Sequence, residues 1–310
     1  AYARLRDRFL ALRDSGEAKR LIFCGDLIHA YSDAVADHSL DIVLDVMRLQ
    51  AELGADVIIA LLGNHELPHI YDVTLLQDEL PMTPHFEAAL MALDADAERP
   101  QCRADVIAFL ASLPFFVRTQ SGVLVTHAGA PTHIKKPEVL AHVLELDHNK
   151  LVQLADEMMA EGYRLDDLRR SPEYRRYVAD NFAVTDADHP RFLAGMRGQL
   201  IGKMSQDFRL LWDMLFASNE LDGSLDVYRV FVAHFLEIMT ELSPFALNWL
   251  VSGHIGVRGG HAWIGDQQLR LASCAHARPR QAGQFLLLDC ATPLTSQAAI
   301  ASGLRSTFGD

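Results

Sequence analysis

The sequence predicts an α/β fold in which short buried strands alternate with amphipathic helices around one large core. Apolar runs of strand length at 21–24 and 57–62 alternate with stretches whose apolar residues recur every three or four positions. Strand-like runs return at 123–125 and between 249 and 288, on either side of a long helix-like stretch. With 310 residues, half of them hydrophobic, the chain has ample material for a single domain over 1–310 that carries an insertion.

In order along the chain, Leu5, Phe9 and Leu12 lie at helical spacing, and Gly16 is placed to end that helix. Leu21-Ile22-Phe23-Cys24 is a strand that runs into Gly25-Asp26. The next helix presents Leu40, Val43, Leu44 and Met47 on one face and stops at Gly54. The strand at 57–62 runs into Gly63-Asn64-His65-Glu66. Residues 75–111 read as helical with acidic exposed positions. A hairpin follows around Ser121-Gly122, and its second strand ends at Thr126-His127-Ala128-Gly129. From 136 to 243 the pattern is that of a helical insertion, broken at Pro172, Pro190 and Gly223. Strands at 249–251, 262–264, 269–271 and 285–288 close the chain, with Gly265-Asp266 as a two-residue turn. The last ten residues show no strong pattern.

Composition narrows the function. Forty-one Asp and Glu against 28 Lys and Arg give a net charge of −13, a surface that repels a phosphate backbone and argues against nucleic acid as a partner. A small phosphorylated substrate stays open, because a bound divalent cation reverses the local field. No apolar run approaches the length of a membrane span. Cys24, Cys102, Cys274 and Cys290 stand far apart with no CxxC pair, which points to a reducing cytoplasm rather than a zinc cluster or disulfide framework. Arg164, Arg169, Arg170, Arg175 and Arg176 form a basic run, most simply a solvated helix face. Oligomeric state has no signature here.

The chemistry lies at strand ends. Four apolar strands each stop at a small residue followed by a metal-ligand type: Gly25-Asp26, Gly63-Asn64-His65, Thr126-His127 and Gly253-His254. In layered α/β folds loops converge beyond the strand ends, and glycines there permit close approach. One Asp or His after a glycine is ordinarily a turn residue; the ordered repetition is what points to a site. A carboxylate, an amide oxygen and two imidazoles suit manganese, iron or zinc, and the absence of thiolate argues against structural zinc. His69, His85, His133, His142, His148, His189, His234 and His261 are taken as surface or structural, and Glu66 and Asp72 as supporting or solvated rather than ligating.

In order, these segments resemble the calcineurin-like metallophosphoesterases, most closely the phosphoprotein phosphatase branch with its Ser/Thr phosphatases and dinucleoside tetraphosphatases. The complete Gly63-Asn64-His65-Glu66 motif after a buried strand is the most specific part, and the resemblance covers about 20–135 and 245–290. It implies two packed mixed β-sheets flanked by helices, a four-layer sandwich. It also implies two divalent transition metal ions, bridged by Asp26, with Asn64, His127 and His254 completing the second site. His65 then protonates the leaving oxygen while a metal-bridged hydroxide attacks phosphorus.

Two departures stand out. The family's Asp-x-His motif occurs nowhere in the chain, so the first strand and the rest of the first metal site are expected upstream of Ala1. Where the branch has GDxxDRG, this sequence reads Gly25-Asp26-Leu27-Ile28-His29-Ala30-Tyr31, without the orienting aspartate or the phosphate-gripping arginine. His29 is expected to hydrogen-bond His65 or contact phosphate. Arg229, beyond the family-like Leu210-Leu211-Trp212-Asp213, is the candidate for the lost arginine, and His276 is placed to overhang the metal site. The expected function is phosphoester hydrolysis, with the insertion favouring a small phosphorylated molecule over a phosphoprotein. The alternative is a single-metal or non-catalytic relative that binds a ligand or partner.

Overall fold

The computed structural model describes residues 1–29, 37–72, 76–77, 80–81, 83–96, 101–161, 192–216 and 223–309. Helix α1 (Tyr2–Asp14) ends where Gly16 takes a φ of +80°, the left-handed position that closes many helices. Strand β1 (Leu21–Phe23) pairs in parallel with β2 (Ile58–Ala60), Leu21 opposite Ile58 and Phe23 opposite Ala60. Helix α2 (Ser39–Leu53) lies between them in sequence. Its apolar face is wider than the predicted stripe: Val43, Val46 and Leu49 are buried, while Leu40, Leu44 and Met47 pack half-buried beside them.

A five-stranded mixed sheet forms the second layer, in the order β5 (Phe116–Arg118), β6 (Val123–Thr126), β7 (Trp249–Ser252), β10 (Gln268–Leu271) and β9 (His261–Ile264). The three central strands are mutually parallel and the two edge strands antiparallel to their neighbours. Every residue of β6 is buried, the continuous apolar run expected of a central parallel strand. The connection between β9 and β10 is longer than the predicted two-residue turn: Ile264 pairs with Gln268, so three residues, Gly265-Asp266-Gln267, lie between. Gly265 there has a φ of +66°.

Smaller pairings complete the frame. The short helix α3 (Leu67–Ile70) follows β2. Residues 75–111 are not wholly helical: β3 (Leu76–Gln77) and β4 (Leu80–Pro81) form an antiparallel pair before α4 (Thr83–Ala95) and α5 (Arg103–Ala111). Pro81, lacking an N–H, does not suit a helix interior. Strand β8 (Val257–Arg258) pairs with β11 (Ala277–Arg278). Strand β12 (Gln284–Leu286) pairs with β13 (Leu304–Ser306), which gives the last ten residues a place in the fold.

Helices α6 (Pro137–Leu144), α7 (His148–Ala160), α8 (Phe192–Met204), α9 (Gln206–Leu215) and α10 (Leu225–Glu241) occupy the described part of the predicted helical insertion. They bury Leu140, Met196, Leu211 and Phe235 in the same cluster as Val43 and Ile58, so this stretch shares the core of the flanking segments. The opposite face of the sheets closes over Leu61, Val123, Val251, Leu269 and Ile300. Burying each such side chain contributes about 1.5–3 kcal/mol. The basic run from Arg164 to Arg176, with Pro172 and Pro190, lies outside the described residues. Among the described residues no helix is long and apolar enough to cross a membrane. All four cysteines are free.

Candidate metal centre

Parallel pairing brings the strand ends together. Phe23 opposite Ala60 carries the chain after β1 alongside the chain after β2, and Thr126 opposite Ser252 does the same after β6 and β7. The Gly253 N–H donates to the His127 carbonyl at 2.9 Å, and the His127 ring reaches the other pair, its Nδ1 lying 2.7 Å from the Cys24 carbonyl oxygen. Two glycines make room for this. Gly25 has a φ of +89°, and a Cβ there would stand 2.7 Å from His127 Nδ1 and 2.9 Å from Gly63 Cα. A Cβ on Gly63 would meet Asp26 and, at 2.6 Å, Glu66 Oε2. Asp26, His29 and His254 also take positive φ, at 53°, 72° and 67°. Such angles are strained for residues with a Cβ and gather at functional sites.

Nδ1 of His127 donates to a carbonyl, so in the neutral ring Nε2 carries the lone pair. That nitrogen faces Asn64 Oδ1 at 2.8 Å, His254 Nδ1 at 3.1 Å and Asp26 Oδ1 at 3.5 Å. Acceptor atoms so close repel one another unless a cation or a shared proton lies among them. Asp26, His127 and His254 each offer a ligand atom, all within 4.8 Å of one another. The second carboxylate oxygen, Asp26 Oδ2, is buried without a hydrogen-bond partner among the described residues. The donor set therefore fits a borderline divalent cation, which would be ligated by oxygen and imidazole nitrogen.

Electrostatics agree with that fit. Burial works to raise the Asp26 pKa, but His127, His65, His254 and the His65 N–H outweigh it and hold the carboxyl at about 2. His254 is pushed down to about 3 by burial and by the neighbouring His127, so it is neutral and able to ligate. Glu66, fully buried, ties the two loops together: its carboxylate accepts the N–H groups of Leu27 at 2.6 Å, Gly63 at 2.9 Å and Asp26 at 3.0 Å. Burial and the charge of Asp26 raise its pKa to about 8, against the pull of those three donors.

A second group of imidazoles adjoins the first. His65 donates its backbone N–H to Asp26 Oδ1 at 3.1 Å, and its Nε2 lies 3.9 Å from Asp26 Oδ2. Its Nδ1 stands 3.2 Å from His29 Nδ1, and His29 Nε2 stands 2.7 Å from His69 Nε2. His29 is fixed at its backbone, where its N–H donates to Ser39 Oγ at 2.8 Å. Burial, with His69 and His65 beside it, drives His29 down to about 2, so the ring is neutral.

The structure thus brings together Asp26, Asn64, His127, His254, His65 and His29. His276 is half-buried and within electrostatic reach: burial lowers its pKa, Asp26 draws it upward, and His65, Arg278 and His127 lower it further. Arg229 is elsewhere. It packs against Gly265 and lies 3.7 Å from Asp226 and 3.9 Å from Asp266, at the turn that leads into β10. Since β10 runs parallel to β7, that turn is at the opposite end of the sheet from His254. Sequence order placed the arginine near the site; strand direction removes it. Asp72 lies 3.8 Å from both Arg103 and Arg197. Sequence reasoning passed over the part played by His69, four residues after His65 and so one helical turn on, a signal that was available.

No family model and no curated protein matches the chain. Among solved structures it is similar to a cold-active protein tyrosine phosphatase determined at 1.1 Å, with 14% identity over 82% of this chain and a TM-score of 0.33. The chain spans 59% of that protein, and a likeness this distant carries no argument about the site.

Proposed function

We propose that the chain is a metal-dependent phosphoester hydrolase of the calcineurin-like type, with Asp26, Asn64, His127 and His254 as metal ligands and His65 as general acid. The observation that carries this reading is the convergence on His127 Nε2 of three further ligand atoms from three other strand ends. A bound divalent cation would supply Lewis-acid chemistry, activating water and neutralising phosphoryl charge. The residues do the rest. Glu66 fixes the relative position of the Asp26 and Asn64 loops through its three N–H contacts. His65, held beside Asp26 by its backbone N–H, delivers a proton to the leaving oxygen. The acidic surface disfavours nucleic acid, and a cation at the site would reverse the local field enough to admit a small phosphorylated substrate.

The test is elemental analysis of the manganese-loaded chain together with hydrolysis of aryl phosphates. Loaded protein should hydrolyse them; His127→Ala and His254→Ala should lose metal. His65→Asn should keep its metal and lose about 10²–10⁴-fold in kcat. Absence of metal uptake overturns the reading. Uptake without hydrolysis favours the second one, a single-metal protein that binds a phosphorylated ligand. What supports that alternative is that one three-residue His/carboxylate cluster forms among the described residues.

A further inference from the structure

His65 is the near end of a chain of buried side chains that runs away from the metal donors. Beyond His29 and His69 the line continues to Glu87, whose Oε1 lies 2.7 Å from His69 Nδ1. The other oxygen of Glu87 accepts from Arg103 Nη1 at 2.8 Å. His29, His65, His69 and Glu87 are all buried, and Phe86 packs edge-on against both His29 and His69. The four polar residues come from three separate segments: the loop after β1, the turn and helix after β2, and helix α4.

Each link restricts the next, because a neutral imidazole has one donor nitrogen and one acceptor nitrogen. A carboxylate only accepts, so His69 Nδ1 carries a proton, and in the neutral ring His69 Nε2 is then bare. His29 Nε2 must then donate to it, which leaves His29 Nδ1 bare. That bare nitrogen faces His65 Nδ1, which must therefore be the protonated one. That leaves His65 Nε2, 3.9 Å from Asp26 Oδ2, as the nitrogen without a proton.

We propose that His29, His69 and Glu87 are positioning residues that fix the tautomer of His65 through a relay of hydrogen bonds anchored by Arg103. The relay does at long range what a carboxylate beside His65 would do directly. It reserves Nδ1 for the protein and leaves Nε2 to take up a proton, so that the imidazolium, still donating through Nδ1, can give that proton to the leaving oxygen. The proposal rests on His65 acting as the acid of a phosphoester hydrolase.

Glu87→Gln makes a directional test. Arg103 requires an oxygen, so the amide must turn its NH₂ toward His69 Nδ1 and reverse the tautomer of each ring in turn. Nitrogen-15 NMR of the imidazoles in the full chain, with and without zinc, reads this directly. In the unaltered protein it should find protons on His69 Nδ1, His29 Nε2 and His65 Nδ1; any other pattern overturns the proposal, whether or not the variant folds. The folded Glu87→Gln protein should show the reversed pattern. It should lose at least about tenfold in kcat on phenyl phosphate, a poor leaving group, with KM and metal content unchanged and little loss on dinitrophenyl phosphate. Equal loss on both esters, or none, overturns the relay. If the unaltered protein hydrolyses neither ester, the hydrolase reading fails and the relay stands or falls on the tautomers alone.

Discussion

Gly25 is where the two strand systems touch, and Gly25→Ala measures how tightly they do. Two effects add. An alanine at a φ of +89° is in the left-handed half of backbone space and costs about 1–2 kcal/mol. Its methyl group, 2.7 Å from His127 Nδ1 and 2.9 Å from Gly63, must also push a ring or a loop aside, which costs about 1–3 kcal/mol as overpacking. The sum is about 2–5 kcal/mol. For 310 residues the unfolding entropy is about 650 cal/mol/K, so Tm should fall by about 3–8 °C. Gly16→Ala is the matched control, since Gly16 has a φ of +80° with nothing within 4 Å of an added Cβ. It should lower Tm by about 2–3 °C, from the backbone cost alone. Calorimetry on both variants, followed by metal titration, separates the two effects. Gly25→Ala should also weaken metal binding, because the displaced ring is that of His127, whereas Gly16→Ala should not. Equal Tm shifts in the two variants would refute the close approach of His127 and Gly63 to Gly25.

Two further outcomes follow from residues outside the donor set. Arg229→Ala should leave kcat/KM within about twofold, because the side chain sits at the far end of the sheet against Asp226 and Asp266; a tenfold rise in KM for a phosphate ester would return it to the site. His148, buried with its Nδ1 2.6 Å from the Tyr71 hydroxyl, has a pKa lowered to about 4 by burial, so the folded chain holds it neutral. Between that value and its unfolded pKa of about 6.5 the unfolded chain binds more protons. Stability from this group is therefore complete above about pH 6.5 and falls by about 3 kcal/mol as pH drops to 4, and His148→Gln should flatten that part of a denaturation-against-pH curve.

What was legible in the sequence is what local periodicity encodes. Strands β1, β2 and β6 are short apolar runs ending in glycine or threonine, and they read correctly without tertiary information. The two-residue strands β3, β4, β8 and β11 hold too few side chains to show any alternation, and β13 exists only because β12 is there to pair with it. The proximity of Asp26, Asn64, His127 and His254 was legible because each lies within four residues of a strand's end, and parallel pairing then converts sequence position into proximity. Glu87 had no such marker. It lies in the middle of α4 and meets His69 only through the packing of that helix. Arg229 failed for a related reason: order along the chain does not say at which end of a sheet a helix residue will lie.

The four proposed ligands are residues 26, 64, 127 and 254 in the chain, so each of the loops their meeting closes is long. Such contacts form only after most of the chain entropy has been surrendered, which places them late in folding. A cation held there grips the native state and has little hold on the transition state for unfolding. Its effect should therefore fall on the unfolding rate more than on the folding rate, making the proposed site a clasp that keeps a loaded chain from coming apart.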